Sequence, residues 1–227
     1  EDQVLTAANT LADEDGLGSI TYQWNRAGTA ISGATSSTYT LVQADVGSTI
    51  TATASYTDTL GQAEASTSAA TAAVANVEDA PVIGSTGGTA VNEDAAYSYS
   101  ITASDEDGDT LAITSTSVSW LTLTDAGDGT ATLSGTPDDG DVGSHSVTIT
   151  VTDNSASTLT DTETFTIVVT NTNDAPSVSS TAVTAVNEDA SYSYSITTSD
   201  ADSDSSDSWT ITSSSVSWLT LIHTAGA

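Results

Sequence analysis

The sequence predicts an all-β protein built as tandem β-sandwiches, the last one truncated, and three observations predict it. Short stretches alternate apolar and polar residues with a period of two, the mark of half-buried strands. Thr, Ser, Val, Ala and Ile dominate, and β-branched residues fit a pleated surface. A long block repeats: TAVNEDAAYSYSITAS at 89–104 returns as TAVNEDASYSYSITTS at 184–199, an offset of 95 (184 − 89).

Other segments keep the same period. VEDAP ends at Pro81 and TNDAP at Pro176, again 95 apart (176 − 81). SVSWLTL occurs at 117–123 and 215–221, so the later copy carries extra residues around Ser205 to Asp207. An acidic D-x-D recurs at Asp13 and Asp15, at Asp105 and Asp107, and at Asp200 and Asp202. A Thr-Asp pair closes with Asp58 and with Asp153. The layout predicts domains at 1–80 and 81–175 and a partial repeat at 176–227.

The strands follow in order. In the first unit ITYQWNRAGTAI and STITATASYTD are strands, with Trp24 in the core. In the second, Tyr97, Tyr99, Ile101 and Ala103 share one face and Ser98, Ser100 and Thr102 the other. Val147, Ile149 and Val151 face inward, as do Phe165, Ile167 and Val169. Trp120 and Trp218 sit in matching segments and are expected in cores. The third unit holds only its first strands before Ala227, so its edges should be unpaired; residues 205–227 are expected to be poorly ordered. The start lacks an initiator Met and a basic, apolar leader, as expected of an excerpt from a longer chain.

Charge narrows the function. There are 31 acids and one basic residue, Arg26, for a net charge of −30. Salt bridges are therefore not expected to hold the protein together. Phosphate backbones and anionic membrane surfaces need Lys and Arg, which excludes nucleic acid and direct membrane binding. The absence of cysteine removes disulfides and thiolate sites, and no apolar run approaches the about 20 residues of a membrane span. Two carboxylates about 5 Å apart repel by ~0.8 kcal/mol in water and ~3 kcal/mol at an effective dielectric of 20. A hard divalent cation, with about six to eight oxygen ligands for calcium, reverses that sign. A solvated acidic coat is the plainer alternative. DEDGD is not an EF-hand loop: counting from Asp105, Thr110 replaces the required Gly and Thr116 the bidentate Glu.

The second unit resembles a cadherin-like domain of the dystroglycan type, as repeated in bacterial surface proteins. Asn92–Glu93–Asp94, ASDEDGD (103–109), SGTPDDGDVG (134–143), TVTD (150–153) and NTNDAP (171–176) carry the resemblance. The third unit repeats the first of these and approximates the second. The first unit is similar to a bacterial immunoglobulin-like repeat through DEDGLGSITYQW (13–24), STYTLVQADVG (37–47) and YTDTLGQAE (56–64). The resemblance implies immunoglobulin-like and cadherin-like sandwiches with calcium at their junctions. At the first junction it implicates Asn76, Glu78, Asp79, Asp105, Asp107 and Asp153. At the second it implicates Glu93, Asn171, Asn173, Asp174, Asp200 and Asp202. The upper-domain acidic triplet of true cadherins is not evident; Asp138 and Asp139 fall near its position.

An enzyme is not expected. There is no Lys or Cys, no G-x-S-x-G elbow and no phosphate-cradling loop. His145 shares parity with Val147 and reads as structural, and His223 lies at the ragged end. The leading expectation is a calcium-binding spacer and adhesion module of an extracellular or cell-surface bacterial adhesin. Its partners would be neighbouring repeats of the chain and a cell-surface protein or glycan. The alternatives are an accessory carbohydrate-binding sandwich of a secreted hydrolase, with Trp209 or Tyr39 as aromatic platform, and a stalk whose acids only solvate.

Overall fold

The computed structural model describes residues 1–202, 210–214 and 216–222. These residues are all-β: strands and two single-turn 3-10 segments, arranged as β-sandwich sheets. No helix among them is long and apolar enough to cross a membrane.

The first sandwich holds β1 (Val4–Thr6), β2 (Thr21–Arg26), β3 (Thr29–Ala30), β4 (Thr38–Thr40), β5 (Ile50–Thr57) and β6 (Ala63–Thr67). One sheet runs β3-β2-β5-β6, and β1 pairs antiparallel with β4. Trp24, Leu41, Ile50 and Val74 form the core between them. Trp24 stacks on Tyr39 at 5.7 Å and donates its indole N–H to the Ser36 carbonyl at 2.9 Å. Among the described residues one ion pair is present, Arg26 with Asp45. Asp45, 0% exposed, accepts from Arg26 Nε at 2.6 Å, Tyr39 O–H at 2.8 Å and Val42 N–H at 3.0 Å. Burial raises its pKa, but those donors outweigh it and hold the carboxyl below the ordinary range. The chain's sole Lys or Arg is thus spent on the most buried acid among the described residues.

The second sandwich holds β7 (Val82–Ile83), β8 (Ala90–Asn92), β9 (Tyr97–Ser104), β10 (Ala112–Ser115), β11 (Leu121–Asp125), β12 (Thr130–Gly135), β13 (Gly143–Thr152) and β14 (Thr160–Thr170). Its sheets run β11-β12-β9-β7 and β10-β13-β14-β8. The N-terminal edge crosses between them: β7 joins β9 antiparallel and β8 joins β14 in parallel. The crossing passes Gly87, where a Cβ would lie 2.5 Å from the Phe165 ring. The predicted alternation holds. Tyr97, Tyr99, Ile101, Val147, Ile149, Val151 and Ile167 are buried in one core, with Ala103 and Phe165 packed against it. Trp120 also packs there, edge-on to Tyr97 at 5.9 Å and to His145 at 5.8 Å, so both Trp120 and His145 are structural.

The third unit shows β15 (Ser177–Val178) paired with β16 (Thr198–Ser199). It copies local contacts of the second: Ser180 Oγ meets Tyr194 O–H at 2.6 Å as Ser85 Oγ meets Tyr99 O–H at 2.9 Å. Trp218 sits edge-on to Tyr192 at 6.0 Å, yet is 62% exposed. Its expected core position is therefore corrected: among the described residues no facing sheet covers it. Trp209, His223 and, within the 205–227 segment, residues 205–209, 215 and 223–227 lie outside the described residues.

Candidate cation-binding seams

Strand ends place the acids. β9 ends at Ser104, and the next five residues turn back on themselves with Gly108 at φ 77°. Asp105 Oδ1 holds the turn, accepting from Asp107 N–H at 2.9 Å and Asp109 N–H at 3.3 Å. Asp153 directly follows β13. Its Oδ1 accepts from Ser155 N–H at 3.2 Å, Ser155 O–H at 3.0 Å and Leu159 N–H at 2.9 Å. The second oxygens are the notable ones. Oδ2 of Asp105, Asp109 and Asp153 are all buried without a hydrogen-bond partner. The three carboxylates offer oxygens within 4.8 Å of one another. Burial, then the charges of Asp105, Asp153 and Asp107, pushes the Asp109 carboxyl up. Orphaned, mutually repelling carboxylates are costly unless a cation joins them. Asp109 was not among the sequence-predicted ligands, although it is the last acid of DEDGD.

The first seam lies between the first two sandwiches. Asp107 Oδ2 accepts from Asp79 N–H at 2.7 Å, and Oδ1 from Gln43 Nε2 at 2.8 Å. The Asp79 N–H, foremost, holds the Asp107 carboxyl below its usual range. Glu1 joins Asp79 and Asp107 in a second convergent group. Glu1 is 5% exposed; its Oε1 accepts from Val77 N–H at 2.7 Å and its Oε2 is buried and unpartnered. Burial, then Asp2, Asp107, Glu1 and Asp105, raises the Asp79 carboxyl. Asn76 and Glu78 are exposed, and Asn76 Nδ2 donates to Glu78 Oε1 at 3.3 Å.

The second seam repeats the hydrogen bonds of this plan, although among the described residues no three of its carboxylates converge within 4.8 Å. Thr172 N–H donates to Glu93 Oε1, as Val77 N–H does to Glu1. Glu93 is 2% exposed and its Oε2 is likewise orphaned. Asp174 N–H donates to Asp202 Oδ2, as Asp79 N–H does to Asp107. Asn171 Nδ2 donates to Asp202 Oδ1 at 2.7 Å, and Asp202 N–H to Asp200 Oδ1 at 3.3 Å. Asn173 Nδ2 turns to the Asp174 carbonyl at 2.8 Å. Asp139 joins from the 3-10 segment Asp139–Asp141. Burial raises both Asp139 and Asp174, with Glu93 the next cause for the first and Asp139 for the second.

The correspondence exposes two things the sequence reading missed. Glu1–Asp2 is the first unit's version of Glu93–Asp94. Asp2 and Asp94 both adopt left-handed backbone, φ 65° and 57°, a region Asp tolerates. Their N–H groups reach the equivalent Leu41 and Pro137 carbonyls. The only signal was a two-residue Glu-Asp pair without the flanking TAVN. Gln43 and Asp139 likewise match in position; Asp139 was already placed near the acidic-triplet position by the sequence, whereas Gln43 carries no acidic signal.

A third acidic group, Asp13, Asp58 and Glu64, sits in the first sandwich. Tyr56 O–H lies 3.0 Å from Asp13 Oδ2 and 2.7 Å from Glu64 Oε2; the Glu64 bond foremost raises the Tyr56 pKa. Asp58 Oδ1 accepts from Gln62 N–H at 2.7 Å. Here the phenol already sits against two of the three acids. Tyr39 is no free aromatic platform either, since its ring stacks on Trp24 and its hydroxyl serves Asp45.

The donors of the seams are oxygens throughout, carboxylate, amide and main-chain, the set that suits a hard cation such as calcium. Among known proteins, no curated protein matches the chain. Several solved structures are similar to parts of it. An endo-fucoidan hydrolase of glycoside hydrolase family 107 is 28% identical, with 60% of this chain and 20% of that one covered and a TM-score of 0.37. The chain thus spans about a fifth of that hydrolase's length. Extracellular cadherin domains 3–6 of protocadherin gamma B2 are 17% identical, with 80% and 48% covered and a TM-score of 0.43. The SrpA adhesin of Streptococcus sanguinis is 13% identical, with 46% and 66% covered and a TM-score of 0.38. Residues 80–170, which span the second sandwich, match the family model described as "Putative Ig domain".

Proposed function

We propose that this chain is a calcium-binding, non-catalytic string of immunoglobulin-like and cadherin-like sandwiches, a spacer and adhesion segment of an extracellular bacterial surface protein. The reading takes three units, 1–80, 81–175 and a partial 176–227. One observation carries it. At successive seams a carboxylate that is nine-tenths or more buried keeps an oxygen without a partner: Glu1 at the first, Glu93 at the second, and Asp153 beside Asp105 and Asp109 in the adjoining turn. In a chain of charge −30, this recurrence in register supports a cation role over a solvated coat.

A bound calcium would neutralise these groups and fix each linker against the next sandwich, with Pro81 and Pro176 limiting bending. Glu1, Asp79, Asp105, Asp107, Asp109 and Asp153 would hold ions at the first seam. Glu93, Asp139, Asp174, Asp200 and Asp202 would do so at the second. A non-catalytic role is supported by the lack of Lys and Cys and by His145, whose Nε2 is engaged with the Asp141 carbonyl at 2.6 Å. The partners of such a segment are its neighbouring repeats and a protein or glycan on another surface. Calcium titration by calorimetry tests the reading. Saturable uptake at submillimolar to millimolar calcium with a rise in Tm is expected; no heat and no change in Tm would reject it.

A further inference from the structure

We propose that Gln43 sets the first seam's calcium affinity, acting as a neutral tether that joins the two sandwiches without metal and thereby weakens the site. The inference rests on the reading of the seams as calcium sites.

Gln43 and Asp139 are equivalent by geometry. Each opens a single-turn 3-10 segment, Gln43–Asp45 and Asp139–Asp141. Each segment is closed by an Asp whose side chain accepts the N–H two residues before Ala44 or Gly140: Val42 N–H to Asp45 at 3.0 Å and Asp138 N–H to Asp141 at 3.2 Å. Both segments face the next seam, Gln43 through Asp107 and Asp139 through Asp174 and Asp202.

The chemistry at that position differs. Asp139 brings a full negative charge to Glu93, Asp174 and Asp202. Gln43 brings an amide to Asp107, which converges with Glu1 and Asp79. Its Nε2 hydrogen-bonds Asp107 Oδ1 at 2.8 Å, across the seam, while its Oε1 is buried without a partner. Without metal, the amide therefore links the first sandwich directly to the acidic turn of the second. With metal, that bond to Asp107 is surrendered and only an uncharged oxygen is offered in return. Calcium affinity rises with ligand charge, so the first seam binds more weakly than a carboxylate at position 43 would allow. Glu78 does not restore the charge, because it is exposed and paired with Asn76.

The test compares the full chain with Gln43→Glu, Gln43→Ala and Asp139→Asn by calorimetry with calcium alone, and by small-angle scattering in chelator. Gln43→Glu should tighten one class of sites by about tenfold and leave the other unchanged. Asp139→Asn should weaken the other class by about tenfold. In chelator, Gln43→Glu and Gln43→Ala should both loosen the joint, and Gln43→Ala should not tighten calcium. If the wild type binds calcium but Gln43→Glu leaves affinity unchanged or weaker, or if neither Gln43 variant loosens the metal-free joint, this proposal fails alone. If the wild type takes up no calcium, the underlying reading fails with it.

Discussion

Arg26 shows how few options this composition leaves. Asp45 is fully buried and must stay charged to serve three donors. The equivalent Asp141 in the second sandwich is only half buried and makes do with Asp138 N–H and Ser119 O–H. Replacing Arg26 by Met should destabilise the first sandwich by about 2 kcal/mol, less than a fully buried pair because Tyr39 and Val42 remain. Urea denaturation resolved by Trp24 fluorescence checks this. Asp153 has the opposite character. One oxygen is structural and the other waits unpaired. Asp153→Asn should keep the three structural bonds and relieve repulsion, so metal-free Tm should hold or rise slightly. Calcium affinity should meanwhile drop by about tenfold or more. A fall in metal-free Tm together with unchanged calcium uptake would show the residue to be purely structural.

Strands were legible because their signal is local. The parity of Val147, Ile149 and Val151 against Phe165, Ile167 and Val169 follows from a period of two, and it fixes the long β13–β14 register. Ile149→Ala, at a fully buried site in that pair, should cost about 2–5 kcal/mol by chemical denaturation. The seams were legible only in part because they are non-local. Asp79, Asp107, Asp174 and Asp202 lie in repeated motifs, and the linker N–H to D-x-D bonds bring each pair together. Glu1, Gln43 and Asp139 come from other strand ends and needed the fold to bring them in. Asn76, Glu78 and Asn173 sit in the linkers; Asn76 bonds Glu78 and also the Asp107 carboxylate, while Asn173 turns to the Asp174 carbonyl. Trp218 repeats the segment of Trp120 and remains exposed, since burial needs a partner sheet and not a motif.

At the scale of the whole molecule, acids outnumber partners and pH should control the metal. Asp79, Asp109, Asp139 and Asp174 are all held above the ordinary value of 3.8, first by burial and then by neighbouring acids. Groups raised in the folded state favour it below 3.8 and lose that contribution as pH rises through their folded values. Metal-free seams should therefore loosen from mildly acid to neutral pH, and calcium should bind with release of protons and more weakly as pH falls. Calorimetry in buffers of different ionisation enthalpy reads the protons released. The central claim is that cations join consecutive sandwiches. Small-angle scattering of the 227-residue chain, in chelator and then in millimolar calcium at neutral pH, tests it most directly. The account predicts a longer maximum dimension and a narrower distance distribution with calcium, reversed by chelator; identical curves in both conditions would contradict it.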